Sequence, residues 1–410
     1  MEFGLALARG FGGQILSTKF QIRRAAPAAV GTIVLVAFGL RVLRLGAQSL
    51  WHDEAYQVYI ARQGLGAIST RLAGDDLPLH PYLLALWMRA AGSSEYAVRF
   101  LSLLLGVLSL PLFYWLLRRL AGRWPATAGC GALACSALYV YYGQEARQYT
   151  LACLLAIGAA CALLAALRLP STGRWLLYGL VAALGLYTFY YLALVLAAIN
   201  LPLLARRKLR SAGWWVANAS ALALWVPWLA LSYARTLTTL AERSAAPPPA
   251  SALQAALQTL SGLAFGTTLD PRIGLIPAAL LLAFVAFGAA LEVWPRRSEN
   301  TLARGGGRGQ GEGPAVSPSA HFHDSWVPRS GLNNSEESIL PGQMLVAWGL
   351  LLPMAANVPA LLGQHQLLYV TRYYLVGLPA WIGLAAIAWQ HWAGRWPKVG
   401  LAVLILIPTG

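Results

Sequence analysis

Residues 25–59 read AAPAAVGTIVLVAFGLRVLRLGAQSLWHDEAYQVY, and their order decides the fold. An apolar run from Ala25 to Leu45 is followed shortly by an adjacent acidic pair, Asp53 and Glu54. About 20 apolar residues suffice for a helix to cross a hydrocarbon layer about 30 Å thick. The run therefore predicts a transmembrane helix, and the acids predict a charged segment where it leaves the lipid. Arg23 and Arg24 precede the span. Basic residues flank the cytoplasmic side of membrane spans, so the N-terminus is expected in the cytoplasm and Asp53-Glu54 outside.

The rest of the chain repeats this alternation. Hydrophobic residues make up 58% of the 410 and charged residues 11%, whereas a soluble domain is about a quarter charged. In lipid every backbone polar group must be satisfied internally, which leaves helices or closed barrels. The long apolar runs select an all-α integral membrane protein, with about ten or eleven transmembrane segments. The net charge of +16 comes from basic residues in short loops between those segments. That is the distribution of orientation signals and not of a nucleic-acid face. Only three basic residues are Lys (Lys19, Lys208 and Lys398), and with abundant Ala and Gly this points weakly to a GC-rich bacterial genome. Cys130, Cys135, Cys153 and Cys161 lie in apolar segments without zinc or redox spacing, and read as small hydrophobes. No cleavable leader pattern is seen at the N-terminus, so the first span is expected to act as an uncleaved anchor.

Residues 46–95 form a first external loop, and Pro81–Gly92 within it suits a short helix lying in the interface. Spans are expected at 97–117, 124–142 and 149–167, with an external turn at 142–148. Residues 175–205 are short for two crossings and predict two shortened or tilted helices meeting near Tyr187–Tyr191. Spans at 213–231 and 273–294 enclose an external loop, 232–272, and complete a module over 1–294 that would carry any chemistry. Residues 295–340, rich in Gly, Ser, Pro and charge, read as a disordered cytoplasmic linker. The remainder, 341–410, holds spans at 342–362, 373–390 and 399–410, the last of which stops abruptly, so further sequence is expected beyond it.

No acid falls at mid-span, which favours a site outside the membrane over a proton relay through it. Asp53 and Glu54 are the first candidates. A carboxylate beside an apolar wall can take a proton from an attacking hydroxyl, while its neighbour orients it or binds substrate. The competing reading is a solvated helix cap. His52, Tyr56 and His80 lie near them in the sequence or the loop. The turn Tyr141-Tyr-Gly-Gln-Glu-Ala-Arg-Gln-Tyr149 brings Glu145, Arg147 and Tyr149 to the same surface; an aromatic belt at the interface competes as an explanation. Arg372 and Tyr373 stand at the external mouth of a late span. A planar, always-charged guanidinium suits a phosphate there, although an Arg at a span end often only snorkels. His52, His80, Asp53 and Glu54 leave room for a divalent cation, but no spacing demands one.

Together these features resemble the bacterial family 39 type glycosyltransferases. These are multispan GT-C enzymes related to protein O-mannosyltransferases and to the aminoarabinose transferase of lipid A. The resemblance rests on Leu50-Trp-His-Asp-Glu-Ala-Tyr56, Glu95-Tyr-Ala-Val-Arg-Phe-Leu-Ser102, Gln144-Glu-Ala-Arg-Gln-Tyr149 and Arg372-Tyr373. It implies a GT-C fold in the bacterial inner membrane, with short interfacial helices in the first loop. It further implies transfer of a sugar from a polyprenyl-phosphate carrier to a protein, glycan or lipid acceptor on the outer or periplasmic face. Asp53 would then be the base, Glu54 and Glu145 would hold substrate, and Arg372 with Arg147 would face the lipid phosphate. Two departures stand out. Relatives often carry a His-Pro-Pro-Leu-Tyr-Tyr run where this chain has His80-Pro-Tyr82, and a His in the turn where it has Phe189. A flippase for lipid-linked glycans and a non-catalytic membrane subunit are the alternatives.

Overall fold

The computed structural model describes residues 28–73, 76–204, 206, 211–244, 342–351 and 375–393, together with positions 283, 286 and 290. Asp75, Arg372, Tyr373, the linker 295–340, most of the loop 232–272 and of the span expected at 273–294, and the span expected at 399–410 lie outside the described residues.

The described chain is helical. A first helix, α1 (Ala28–Val42), leads to three short helices: α2 (His52–Arg62), α3 (Leu65–Leu72) and α4 (Leu79–Ala91). Then come α5 (Glu95–Ala121), α6 (Arg123–Cys135), α7 (Ala137–Gly143) and α8 (Tyr149–Arg168). They are followed by α9 (Thr172–Leu186), α10 (Leu192–Leu204) and α11 (Ala212–Ser244). Two late helices, α12 (Gly342–Leu351) and α13 (Leu378–Ala393), end the description. Among the described residues, α5, α8 and the Ala212–Tyr233 part of α11 are long and apolar enough to cross a membrane.

The membrane layer is organised around α5 and α8. Helix α5 packs on α6 and α8, α8 on α9, and α9 on α11, while α13 closes over α6. Lipid offers no hydrophobic drive between helices, so close association needs small residues and interhelical hydrogen bonds. Helix α8 supplies the first with buried Ala152, Ala156, Ala159, Ala160 and Ala166. Helices α9, α10 and α11 share the second. Asn200 Nδ2 donates to Tyr178 Oη at 2.7 Å, Tyr178 Oη to Asn218 Oδ1 at 3.0 Å, and Trp214 Nε1 to Asn200 Oδ1 at 2.7 Å. The outer side of α11 turns Trp215, Val216, Leu222, Leu224 and Val226 outward, as a lipid-facing helix does.

The first loop carries the short helices expected of it, and they pack into a cap. Residues of α2, α3 and α4 (Val58, Ile60, Ile68, Leu72 and Leu84 among them) form a second core with Val98, Ala146 and Trp228. The helix expected at Pro81–Gly92 is α4; Pro81 falls in its first turn, where the missing N–H costs nothing. Trp87 Nε1 donates to the Ala97 carbonyl at 2.7 Å, and Leu79 N to the Tyr187 carbonyl at 3.1 Å. The second bond seats the cap on the α9–α10 turn. Those two helices, 15 and 13 residues long, are the shortened pair expected from residues 175–205.

One expected span is broken. Residues 124–142 form α6 and α7, parted at Ser136, whose ψ of 121° leaves the helical region and whose Oγ caps the new helix. The break exposes carbonyls at the end of α6. Arg41 of α1 answers it: its Nη1 donates to Ala134 O at 2.9 Å and Ala37 O at 3.0 Å, and its guanidinium lies 5.2 Å from the centre of the Tyr139 ring. The side chain fits because position 143 is Gly; a Cβ there would stand 2.9 Å from Arg41 Nε and 3.0 Å from Cδ, with no room for both. Gly143→Ala is accordingly expected to cost about 1–3 kcal/mol, the usual range for overpacking. A lowered melting temperature in detergent would show it. Gly31→Ala, where nothing lies within 4 Å of the added carbon, is the control.

Candidate active site

The two acids after α1 sit at the start of α2, where the helix dipole favours negative charge. Consecutive helical residues point about 100° apart, and here that separates their surroundings completely. Glu54 is fully buried. Its Oε1 accepts from Arg99 Nε at 2.9 Å and from Ala146 N at 2.8 Å; its Oε2 accepts from Arg99 Nη2 at 2.7 Å and from Trp51 N at 3.3 Å. Arg99 lies one turn into α5. Its remaining donors reach the carbonyls of Leu45 at 3.0 Å, Gln48 at 2.7 Å and Ser49 at 3.1 Å. A bidentate fork of this kind is among the stronger side-chain interactions. It ties the α1–α2 loop, α2, α5 and the 144–148 turn together. Gln144 completes the wrapping by donating to Arg41 O at 3.1 Å and Leu43 O at 2.9 Å.

Asp53 keeps 25% of its side chain exposed, against 1% for Glu54. It faces Arg147, with Oδ2 4.0 Å from Nη2, while Arg147 Nη1 lies 3.5 Å from Asp76 Oδ2. Asp76 is itself held by Gln57 Nε2 at 2.8 Å, Leu77 N at 2.9 Å and Gln148 Nε2 at 3.2 Å. The Arg147 guanidinium stands 5.7 Å from the centre of the Tyr149 ring, and Tyr149 packs edge-on against Tyr142 and Phe189. Burial works against its charge, but Tyr149, Asp76 and Asp53 more than offset this and raise its pKa. The outcome is one fixed cation between two carboxylates, the more open of which is Asp53.

His80 is fully buried at the second position of α4, with Nδ1 3.3 Å from Gln57 Oε1. Burial, and then the nearby Arg147 charge, lower its pKa from 6.5 to about 3. Tyr56 is half-buried against the cap core, whereas His52 is exposed at the first position of α2. Glu145 is buried in the turn beside Arg147. Among the described residues no group of three or more His, Cys, Asp or Glu side chains is arranged to hold a metal ion. The structure thus gathers Asp53, Arg147 and Tyr149, with His80 close by, and it sets Glu54 apart as the partner of Arg99. Sequence reasoning assigned no role to Arg99, Asp76, Gln57 or Gln148. The available signal was a lone Arg one turn inside an apolar span, at position 99.

Residues 75–231 match the family model of dolichyl-phosphate-mannose-protein mannosyltransferase. The matched stretch includes Asp76, His80, Arg99 and the 145–149 turn; Asp53 and Glu54 lie outside it, Glu54 joining it through Arg99 and Ala146 and Asp53 facing Arg147. Among solved structures, ArnT from Cupriavidus metallidurans in the apo state superposes with a TM-score of 0.58 at 15% identity, over 91% of this chain and 62% of ArnT. The same protein bound to undecaprenyl phosphate gives 0.58 at 16% identity, over 92% and 63%. The oligosaccharyltransferase of Archaeoglobus fulgidus, in complex with Zn and sulfate, gives 0.50 at 14%, over 92% and 51%. The fold is GT-C. The chain spans about three fifths of the length of ArnT and half that of the oligosaccharyltransferase. No curated protein matches it in sequence.

Two outcomes are expected from this geometry. Glu54→Gln or Arg99→Met, each leaving its partner buried and uncompensated, should destabilise the GT-C module by about 3–5 kcal/mol. Loss of the folded fraction after mild heating in detergent reads it. His80 titrates near 3 when folded against 6.5 for the free side chain, so the unfolded chain binds its proton first as pH falls. Stability carried by neutral His80 is therefore present above pH 6.5 and declines as pH drops from there towards about 3. In melting curves against pH, His80→Gln should show a shallower decline over that window.

Proposed function

We propose that this protein is an inverting glycosyltransferase that moves a sugar from a polyprenyl-phosphate carrier to an acceptor on the non-cytoplasmic face of a bacterial inner membrane. The observation that carries the reading is the partly exposed Asp53 carboxylate 4.0 Å from the anchored Arg147 guanidinium. The family match and the GT-C fold support the donor class, since ArnT has been seen with undecaprenyl phosphate and the family model is of a dolichyl-phosphate-dependent enzyme.

The chemistry follows from charge. Asp53 takes the proton of an acceptor hydroxyl as its oxygen attacks the anomeric carbon. The bond from that carbon to the phosphate oxygen breaks, and polyprenyl phosphate leaves with the electron pair. A phosphate leaving group needs charge stabilisation more than a proton, which Arg147 supplies from a preorganised position. Asp76 and Tyr149 hold Arg147, so it does not reorganise as the charge develops. One displacement inverts the anomeric centre. Glu54 acts by holding α2 and the 145–148 turn in register, and is a positioning residue in this scheme. Glu145 and Tyr56 are assigned to the substrate and His52 to its exposed rim by the same reading, and the resemblance assigns Arg372 with Tyr373, outside the described residues, to the phosphate. The positive-inside distribution supports an outward-facing site, with Arg118, Arg119 and Arg123 grouped at the opposite ends of α5 and α6. The family name favours a protein acceptor.

The test is turnover of radiolabelled polyprenyl-phosphate sugars by protein in nanodiscs, read as loss of sugar from the carrier. Asp53→Asn is expected to lower the rate about 10²–10⁴-fold, the range for a lost general base, with the melting temperature unchanged. Arg147→Gln should lower kcat and weaken inhibition by polyprenyl phosphate. A wild-type protein that stays folded and turns over no member of a broad donor panel sinks the proposal.

A further inference from the structure

The pattern of donors around Asp76 fixes which ring nitrogen of a neutral His80 carries the proton. Asp76 receives Gln57 Nε2, Gln148 Nε2 and Leu77 N and pairs with Arg147, so it acts as a carboxylate that only accepts. Gln57 must then turn its amide nitrogen to Asp76, which leaves its carbonyl oxygen facing His80 Nδ1 at 3.3 Å. A carbonyl cannot donate, so Nδ1 carries the ring's proton. A neutral imidazole has one proton, and Nε2 is left as a bare lone pair.

That nitrogen is buried and has no hydrogen-bond partner among the described residues. Arg147, close enough to bear on the titration of His80, has the opposite deficit: its Nε is buried and has no acceptor among the described residues. Unmet buried groups are costly, and their retention at a site calls for a partner. One orphan requires a donor and its neighbour requires an acceptor. A phosphate oxygen satisfies Arg147 but repels the lone pair of His80, and a hydroxyl satisfies His80.

We infer that His80 Nε2 accepts a hydrogen bond from a substrate hydroxyl while Arg147 takes the adjoining phosphate, so that the two read the two halves of a glycosyl phosphate. This rests on the function proposed above and deepens it: His80 selects for a hydroxyl at one position of the substrate and is not a phosphate ligand. The hydroxyl can belong to the transferred sugar or to the attacking acceptor. Because the nitrogen is enclosed by the first-loop cap, the group that meets it is small.

Two measurements test this. The first needs no activity. In protein labelled with ¹⁵N-histidine in nanodiscs, with the His80 signal identified by its loss in His80→Gln, Nδ1 should be protonated and Nε2 unprotonated across neutral pH. The reverse tautomer, or a charged ring, overturns the inference even if the enzyme is active. The second uses kinetics. His80→Asn keeps a donor at the Nδ1 position and removes the acceptor, and should lower kcat/KM about tenfold to a hundredfold. His80→Gln, which can place an oxygen at the Nε2 position, should recover most of that loss. Among mono-deoxy donors, one should be as poor for the wild type as the full donor is for His80→Asn, with no further loss when both changes are combined. The same non-additivity with an acceptor lacking its neighbouring hydroxyl assigns the contact to the acceptor. Inhibition by polyprenyl phosphate should be unchanged in His80→Asn. Full additivity with every analogue means that a buried water meets Nε2, and the inference falls. A wild type that transfers no sugar defeats the proposed function, and the tautomer measurement still judges His80 separately.

Discussion

The bidentate pair between Glu54 and Arg99 is the interaction on which the rest of the site depends. Taking two charges out of water is expensive, and only close geometry with every remaining lone pair satisfied compensates for it. Here the Arg99 donors left over from Glu54 meet three loop carbonyls, and the Glu54 oxygens left over from Arg99 meet two backbone N–H groups. Four chain segments are fixed at once because each supplies a group the pair requires. An apolar pair of similar volume could pack there, but it would leave the carbonyls of residues 45, 48 and 49 without donors. The α1–α2 loop would then have no reason to hold its course, which already includes Arg44 at a φ of 57°.

That same pair explains why Arg147 can be an effective electrostatic device. The residue before it, Ala146, donates its N–H to Glu54, and its own carbonyl accepts from Ser102 Oγ of α5 at 3.2 Å. The backbone of the turn is therefore held from two directions, and the side chain by Asp76 and Tyr149. A guanidinium fixed in this way carries its field at a constant place. Helix geometry alone separates the adjacent acids: Glu54 turns into the seam between cap and membrane core, while Asp53 keeps a quarter of its side chain exposed.

Much of this was legible in the sequence, for reasons that differ by element. Helices α5 and α8 follow from unbroken apolar runs, since the bilayer sets their length. The short α9 and α10 were legible because basic residues at both ends left too few residues for two full spans. The cap helix α4 was legible from its pattern, but its partners α2 and α3 were not. Polar and charged side chains make up about half of α2, and its buried face includes Glu54 and Gln57, which no apolar periodicity reveals. Helix α11 runs to Ser244, past the end expected at 231, because Ala, Leu, Glu and Arg in that stretch still favour a helix and no Pro or Gly interrupts it. In the site, Asp53 and Arg147 could be found because charge is scarce in this chain. Asp76, Gln57 and Gln148 could not, because each is polar in a segment between apolar runs where polarity is ordinary, and only the fold brings the two amides onto the Asp76 carboxylate.

Arg41 and Arg99 show where sequence reasoning stops. Both are single guanidiniums near one end of an apolar helix, and by pattern alone they are indistinguishable from snorkelling side chains. Both turn out to be buried. Arg99 has an acid to meet because α2 folds back over the start of α5. Arg41 has none among its hydrogen-bond partners; it meets the carbonyl end of α6, a partial negative charge created by the break at Ser136, and the face of Tyr139. The same residue type thus neutralises a full charge in one place and a helix terminus in the other. The difference lies in what the neighbouring helix leaves unsatisfied. In a protein this poor in charge, Arg41 and Arg99 each mark a point where the backbone of another segment has stopped satisfying itself: the end of α6 at Ala134 for the first, and the loop carbonyls of Leu45, Gln48 and Ser49 for the second.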